Sequence, residues 1–235
     1  MDRHQWNDLA ARFESTVYDI AAIDAKGVLA DLVSRACPHP RRRVLVDLGC
    51  RIGTFVKEFG GRFESVVGVD FSSAMLERAR ERCSDLANVR WVCGDIPRAA
   101  ASLGAAADLT VCLNVITSPS AAKREALWDA VATVTKPGGR VLVNVPALES
   151  AEMIAAVESP GAEIATDDIV DAAGDSQKYY TKDEVARAAS THGLRVEEIA
   201  RVFYPWTEEL PKAPRGAHES PWDWACLARR TSPDG

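Results

Sequence analysis

Val44-Leu45-Val46-Asp47-Leu48-Gly49-Cys50-Arg51-Ile52-Gly53 decides the fold. An apolar run interrupted only by Asp47 passes directly into a turn with two glycines, and then into a helical pattern over Gly53–Phe59. Near-continuous apolar runs of this length belong to strands covered on both faces. Glycines at such a turn let the backbone approach a ligand closely, and the helix that follows opens with unpaired N–H groups. The next apolar run, Ser65–Asp70, ends in a second carboxylate, 23 positions beyond the first, where an acid can accept both ribose hydroxyls. The two units together predict an adenosine-type cofactor across the carboxyl ends of the first two strands.

Working outward, further strands are expected at Val89–Cys93, Leu109–Leu113, Arg140–Val145, Arg195–Phe203 and Trp224–Arg229. Helical patterns fall between them at Ser73–Cys83, Ser120–Thr135 and Lys182–His192. Strand–helix alternation requires crossover connections and a parallel sheet. Ser118-Pro119 reads as a helix cap with proline at the first helical position, and Thr181-Lys182-Asp183-Glu184 as a capping box. Pro137-Gly138-Gly139 is expected to stop one helix before the next strand, and His192 to end another ahead of Gly193. Leu9, Phe13, Val17 and Ile20 recur at helical spacing, so residues 1–36 are read as a helical lid ahead of a main domain, 37–235. Residues 205–221 carry four prolines and are expected to form an irregular loop.

The 235 residues carry 28 Lys+Arg against 34 Asp+Glu, a formal net charge of −6. That balance argues against affinity built on neutralising nucleic-acid phosphates. Arg41-Arg42-Arg43 precedes the first strand, at the end of the sheet away from the ligand. The six cysteines are scattered without a C-x-x-C, which favours reduced, mostly buried thiols over a disulfide framework or zinc cluster, and no metal is expected. The start of the chain has no apolar leader and no run approaches the length of a membrane span, so a cytoplasmic location away from membranes is expected.

A dinucleotide fingerprint fails, because the glycines required after Gly49 fall on Arg51 and Thr54. A Tyr-x-x-x-Lys pair fails too, since Asp183 and Glu184 stand four residues after Tyr179 and Tyr180. Val44–Phe55, with Val69-Asp70-Phe71-Ser72 and Cys93-Gly94-Asp95, instead resembles the class I S-adenosylmethionine-dependent methyltransferase family. The resemblance covers 44–145 strongly and 180–230 more weakly. It implies a Rossmann-like, doubly wound α/β sheet of seven strands, the last antiparallel, with a helical N-terminal lid and S-adenosyl-L-methionine as cofactor. On the family's pattern Asp47, Gly49, Cys50 and Gly53 form the cofactor loop and Asp70 holds the ribose, with Phe71 beside the adenine. Asp95 and Ile96 would read and pack the adenine. Asn114 is either a polar contact to cofactor or acceptor, or a strand-end cap.

One residue departs from the pattern. The family usually has glycine where this chain has Arg51, which leaves three readings: a side chain in solvent, a partner for the cofactor carboxylate, or an obstruction.

Ligands of parallel sheets bind outside the carboxyl ends of the strands. Leu113-Asn114-Val115-Ile116 is therefore expected to face the methyl group, and it lacks the Pro-Pro-Tyr of enzymes that methylate planar amines. The last two strands place Tyr204, Trp206, His218 and Trp222 at the mouth, where aromatic walls suit a small apolar acceptor. Alternatively the tryptophans only anchor the loop. Trp6, Arg12 and Phe13 are expected to close over the cofactor, and residues 146–180 resemble a substrate insertion. The four aspartates of that insertion, Asp167, Asp168, Asp171 and Asp175, read as a solvated face. Candidate bases are His218, Tyr179 and Tyr180. The expected reaction is methyl transfer to oxygen or sulfur of a small molecule, a secondary metabolite being one candidate; neither spacing nor periodicity sets an oligomeric state. The alternatives are an RNA or protein methyltransferase, or a binding module that has lost the cofactor.

Overall fold

A computed structural model describes residues 3–10, 13, 18–158, 169–170, 176–209 and 219–232. Arg12, Val17, Asp167, Asp168, Asp171, Asp175 and His218 lie outside the described residues.

The chain begins with short helices α1 (Arg3–Leu9), α2 (Ile20–Ile23) and α3 (Val28–Ala36). It continues through β1 (Val44–Leu48), α4 (Thr54–Phe59), β2 (Ser65–Asp70), α5 (Ser73–Arg82), β3 (Val89–Cys93), α6 (Ile96–Leu103) and β4 (Ala107–Leu113). Then follow α7 (Ala121–Val134), β5 (Thr135–Pro146), α8 (Leu148–Glu158) and a small antiparallel ribbon of β6 (Ile169–Val170) and β7 (Ser176–Gln177). The last elements are α9 (Lys182–Thr191), β8 (Leu194–Phe203) and β9 (Trp222–Arg230).

Seven strands form one sheet in the order β3-β2-β1-β4-β5-β9-β8. The first five are parallel, and β9 runs antiparallel to both β5 and β8. The strand order reverses direction between β1 and β4, which opens a crevice at their carboxyl ends.

Alternate residues of the central strands feed two cores. Val46, Val69, Val143 and Trp224 pack with Trp128, Val131 and Val185 of α7 and α9 on one face. Leu45, Leu109, Leu142 and Leu227 pack with Leu32, Val33, Phe55 and Val56 of α3 and α4 on the other. Burying both faces is why the strand sequences lack polar alternation.

Separate helices make up the N-terminal region: Asp19 caps α2, accepting from Ala21 N at 3.3 Å, and Gly27, with φ 68°, begins α3. Two expectations change. Ser120, not Ser118, precedes α7; Ser118 Oγ accepts from Ser120 N at 3.3 Å, a turn ahead of the helix. Pro137-Gly138-Gly139 does not separate helix from strand, because α7 ends at Val134 and β5 already spans Thr135–Pro146. The capping box at Thr181 and Glu184 forms as expected, with both reciprocal bonds present. Two helices have no counterpart among the expected elements: α6, led by Asp95 as its N-cap, and the apolar α8.

Candidate functional site

The crevice is built on the turn after β1. Gly49 (φ 81°), Arg51 (φ 49°) and Gly53 (φ 75°) all take left-handed conformations. Gly49 N and Cys50 N donate to Val69 O at 2.8 and 3.0 Å, which bends the chain over the end of β2. A Cβ on Gly49 would lie 2.3 Å from Val115 Cγ2, so no side chain fits where the turn meets the segment after β4.

Asp70, at the end of β2, is buried. Its two carboxylate oxygens accept from backbone: Oδ2 from Arg51 N at 3.0 Å and Oδ1 from Ser72 N at 2.8 Å. Burial raises its pKa, and the bonds from Ser72 and Arg51 pull it back down. Each oxygen keeps a second lone pair for a ligand hydroxyl. Ser72 caps α5 through Met75 N and donates to Asn7 Oδ1 of α1 at 2.6 Å.

Asp47 at the end of β1 is also buried, and among the described residues no donor reaches its carboxylate. Burial, then Asp19, push its pKa up to about 8; Arg51 opposes and Asp70 adds to the rise. An ionised carboxylate in such a place needs a cation to repay its lost hydration. Asp47 and Asp70 therefore suit a ligand that brings positive charge at one end and hydroxyls at the other.

Arg51 occupies the space between turn, lid and β4. Its guanidinium donates to Tyr18 O at 3.3 Å and to Asn114 O at 2.9 Å, and lies 5.8 Å from the Phe13 ring centroid. Neither the solvent reading nor the carboxylate reading anticipated a clamp between two backbone carbonyls. Phe13 is wholly buried with Ala10, Ile52 and Met75, and Trp6 packs on that cluster, so the lid rests on the turn itself.

Beyond Asn114 lies a polar cluster that no motif in the sequence announces. Asn114 is left-handed (φ 52°), and its Nδ2 donates to Asp223 Oδ2 at 2.8 Å. Asn144 Nδ2 donates to the same oxygen at 2.7 Å and to Asn114 Oδ1 at 2.8 Å, while Tyr18 OH donates to Asp223 Oδ2 at 3.2 Å. Asp223 is buried, and desolvation pushes its pKa up to about 7 against these three bonds. The one signal in sequence is a lone Asp between Trp222 and Trp224 in an apolar strand. Its partners lie too far along the chain for spacing to reveal them.

The remaining candidates separate in space. Tyr204 stands edge-on to Tyr18 with centroids 4.8 Å apart, beside Asp223, and its hydroxyl donates to Glu209 Oε1 at 2.7 Å. Cys50 is buried on the turn, and burial raises its thiol pKa. Phe71 is half-buried next to Asp70, Ile96 is buried, and Asp95 is exposed with its carboxylate on Arg98 N at 3.4 Å. Trp206 and Trp222 are not brought to the turn. Trp206 Nε1 donates to Glu219 O at 3.1 Å and anchors the loop, while Trp222 packs in the opposite core against Phe203 and Trp224. Tyr180 also lies in that core, its hydroxyl donating to Ile116 O at 2.7 Å. Tyr179 OH accepts from Gln177 Nε2 at 2.7 Å.

The order and directions of the seven strands are those of the class I methyltransferase fold. Residues 45–139 match the methyltransferase domain family. Among solved structures, an S-adenosylmethionine-dependent methyltransferase from Anabaena variabilis is similar with TM-score 0.69 at 17% identity, covering 97% of this chain and 93% of that one. The 1,6-didemethyltoxoflavin-N1-methyltransferase of Burkholderia thailandensis, with bound 1,6-didemethyltoxoflavin and S-adenosylhomocysteine, is similar with TM-score 0.64 at 16% identity, covering 99% and 92%. A carboxy-S-adenosyl-L-methionine synthase of Helicobacter pylori is 29% identical over 96 residues, 39% of this chain and 40% of that protein. The matched stretch is thus well under half the length of that relative.

Proposed function

We propose that this chain is an S-adenosylmethionine-dependent methyltransferase acting on an oxygen or sulfur of a small molecule. The observation that carries this reading is the pair of buried strand-end carboxylates, Asp47 and Asp70, around a left-handed turn inside the matched segment 45–139. When bound, the cofactor supplies a methyl group already activated on a sulfonium. Asp70 would hold the ribose hydroxyls and Asp47 the cationic amino-acid end, with Phe71, Asp95 and Ile96 around the adenine. The protein's part is then alignment of acceptor and methyl, which contributes roughly 7–11 kcal/mol in well-oriented intramolecular cases.

The lid, with Phe13 buried on the turn and Tyr18 beside Asp223, supports an enclosed acceptor rather than a polymer. The net charge of −6 disfavours a nucleic-acid substrate. No helix of the described residues is long and apolar enough to cross a membrane. The six cysteines are free and all but Cys93 are buried, which supports a reducing, cytoplasmic setting. Calorimetry with S-adenosylhomocysteine tests the reading, followed by a screen of thiol, phenol, carboxylate and amine acceptors with methyl-labelled cofactor. A flat titration with folded protein overturns it.

Arg51 favours one second reading. Its guanidinium spans the site from Tyr18 O to Asn114 O, as it would in a module whose pocket is permanently filled. Affinity for S-adenosylhomocysteine that appears only in Arg51→Gly selects that version.

A further inference from the structure

The polar cluster between β4, β5 and β9 is built for more than holding strands together. All three donors to Asp223 converge on Oδ2, from Asn114, Asn144 and Tyr18. Among the described residues no donor reaches Oδ1. The cluster is one residue removed from the glycine turn, because the carbonyl of Asn114 receives Arg51 Nη2 while its side chain holds Asp223. Resting on the methyltransferase reading, we propose that Asp223 is the general base of this site, its Oδ1 taking the proton from the hydroxyl or thiol of the acceptor.

Two features argue against a purely structural tie. Asn144 Oδ1 is buried with no hydrogen-bond partner, so the cluster is only partly satisfied, and such a network is worse for stability than an apolar contact. Asn114 is held left-handed without being glycine, a backbone cost that gathers at functional sites. A third feature concerns readiness. Among the described residues, the charged and titratable groups facing Asp223 are Tyr18, from the lid, and Tyr204 and Glu209, from the segment after β8. Burial and Glu209 hold a proton on the carboxyl, and the three bonds to Oδ2 favour its loss. That balance places the change of charge where a base can both accept and release a proton near neutrality.

In the transfer step the acceptor's O–H or S–H bond breaks and its proton passes to Asp223 Oδ1. The lone pair left on oxygen or sulfur forms the bond to the methyl carbon, and the electron pair of the methyl–sulfonium bond stays on the departing sulfur. The protonated Asp223 then returns its proton to water.

The test uses the full chain, with 4-nitrophenol as an optical probe and a labelled-methyl assay on the phenols and thiols of the screen. Both are run beside calorimetry with S-adenosylhomocysteine. Expected is more nitrophenolate from the bound probe in the wild-type S-adenosylhomocysteine complex at about pH 7 than in the Asp223→Asn complex at the same pH. Expected also is a rising limb near pH 7 in kcat/KM for the wild type, with Asp223→Asn slower by roughly 10²–10⁴-fold. Tyr18→Phe removes one donor to the ionised form, and so moves the limb to higher pH. That variant carries the test if Asp223→Asn does not fold. An unchanged pH profile in both variants, equal nitrophenolate in the wild type and Asp223→Asn at about pH 7, or methylation of amines alone overturns the assignment. Because S-adenosylhomocysteine binding is read separately, loss of the base leaves it intact, whereas failure of the methyltransferase reading abolishes it in the wild type too.

Discussion

Arg51 Nη2 donates to the carbonyl oxygen of Asn114 at 2.9 Å, and both residues are left-handed without being glycine. The bond joins the turn after β1 to the end of β4, across the place where the strand order reverses. Each strained backbone is held in part by the other. In Arg51→Gly the left-handed turn is relieved by up to about 1 kcal/mol. The bonds to Tyr18 O and Asn114 O are lost, and hydrogen bonds to charged groups contribute about 1.5–3 kcal/mol each. The net expectation is a loss of about 2–6 kcal/mol, a fall in melting temperature of roughly 4–24 °C for a chain of this size, read by thermal denaturation. Arg51→Ala, which keeps the strain, should melt lower still.

Gly49→Ala tests the close approach. The new methyl meets Val115 Cγ2 at 2.3 Å, and the φ of 81° is hostile to any side chain. Overpacking alone typically costs about 1–3 kcal/mol. Chemical denaturation should show a loss in that range or larger, and Val115→Ala in the same chain should recover only the steric part. Full additivity of the two substitutions would mean that the contact is absent in solution.

Asp47 gives stability a pH dependence of definite sign. Its pKa is raised from 3.8 to about 8 in the folded protein, so the folded state binds the extra proton between those values. Its contribution is therefore present at low pH and lost as pH rises through the folded pKa. Free protein should lose melting temperature between pH 5 and about 8. Asp47→Asn should flatten that slope, measured by thermal melts at constant ionic strength. A steeper slope in the variant would contradict the burial of this carboxyl.

Asp70→Ala removes the acceptor for both Arg51 N and Ser72 N. Leaving a buried donor unpaired costs about 1–3 kcal/mol. The larger effect should be on S-adenosylhomocysteine: losing charge-assisted bonds worth about 3 kcal/mol weakens binding roughly 100-fold. Calorimetry reads the affinity, and circular dichroism separates it from unfolding. Retained affinity would move the ribose elsewhere.

Much of the frame is legible in the sequence because the local signals are redundant. β1, β2 and β3 fall at Val44–Leu48, Ser65–Asp70 and Val89–Cys93, the bounds of their apolar runs, because acid, glycine or helix-cap residues close each one. The helix α8 escapes notice because its apolar residues follow no single face, so periodicity has nothing to report. Leu9, Phe13 and Ile20 keep helical spacing, but the break between the N-terminal helices at Asp19, which caps α2, is not readable from that spacing. Within the site, Asp47 and Asp70 are readable from strand ends, but Asp223 is not. It lies 205 residues from Tyr18, 109 from Asn114 and 79 from Asn144, and only the sheet order brings them together. Tyr180 and Trp222 are legible as candidates from chain position alone, whereas their packing in the core with Trp128 and Trp224 is not.

The position of β9 has a consequence for how the molecule comes into being. Among the described residues, β8 has no hydrogen-bonded neighbour in the sheet except β9, which follows it in the chain. On the ribosome β8 therefore emerges with nowhere to dock, and β5 shows an open border, until Trp222–Arg230 has been synthesised and slides between them. The acid pocket shares that timetable: Asn144 gains its carboxylate partner only when the final strand arrives.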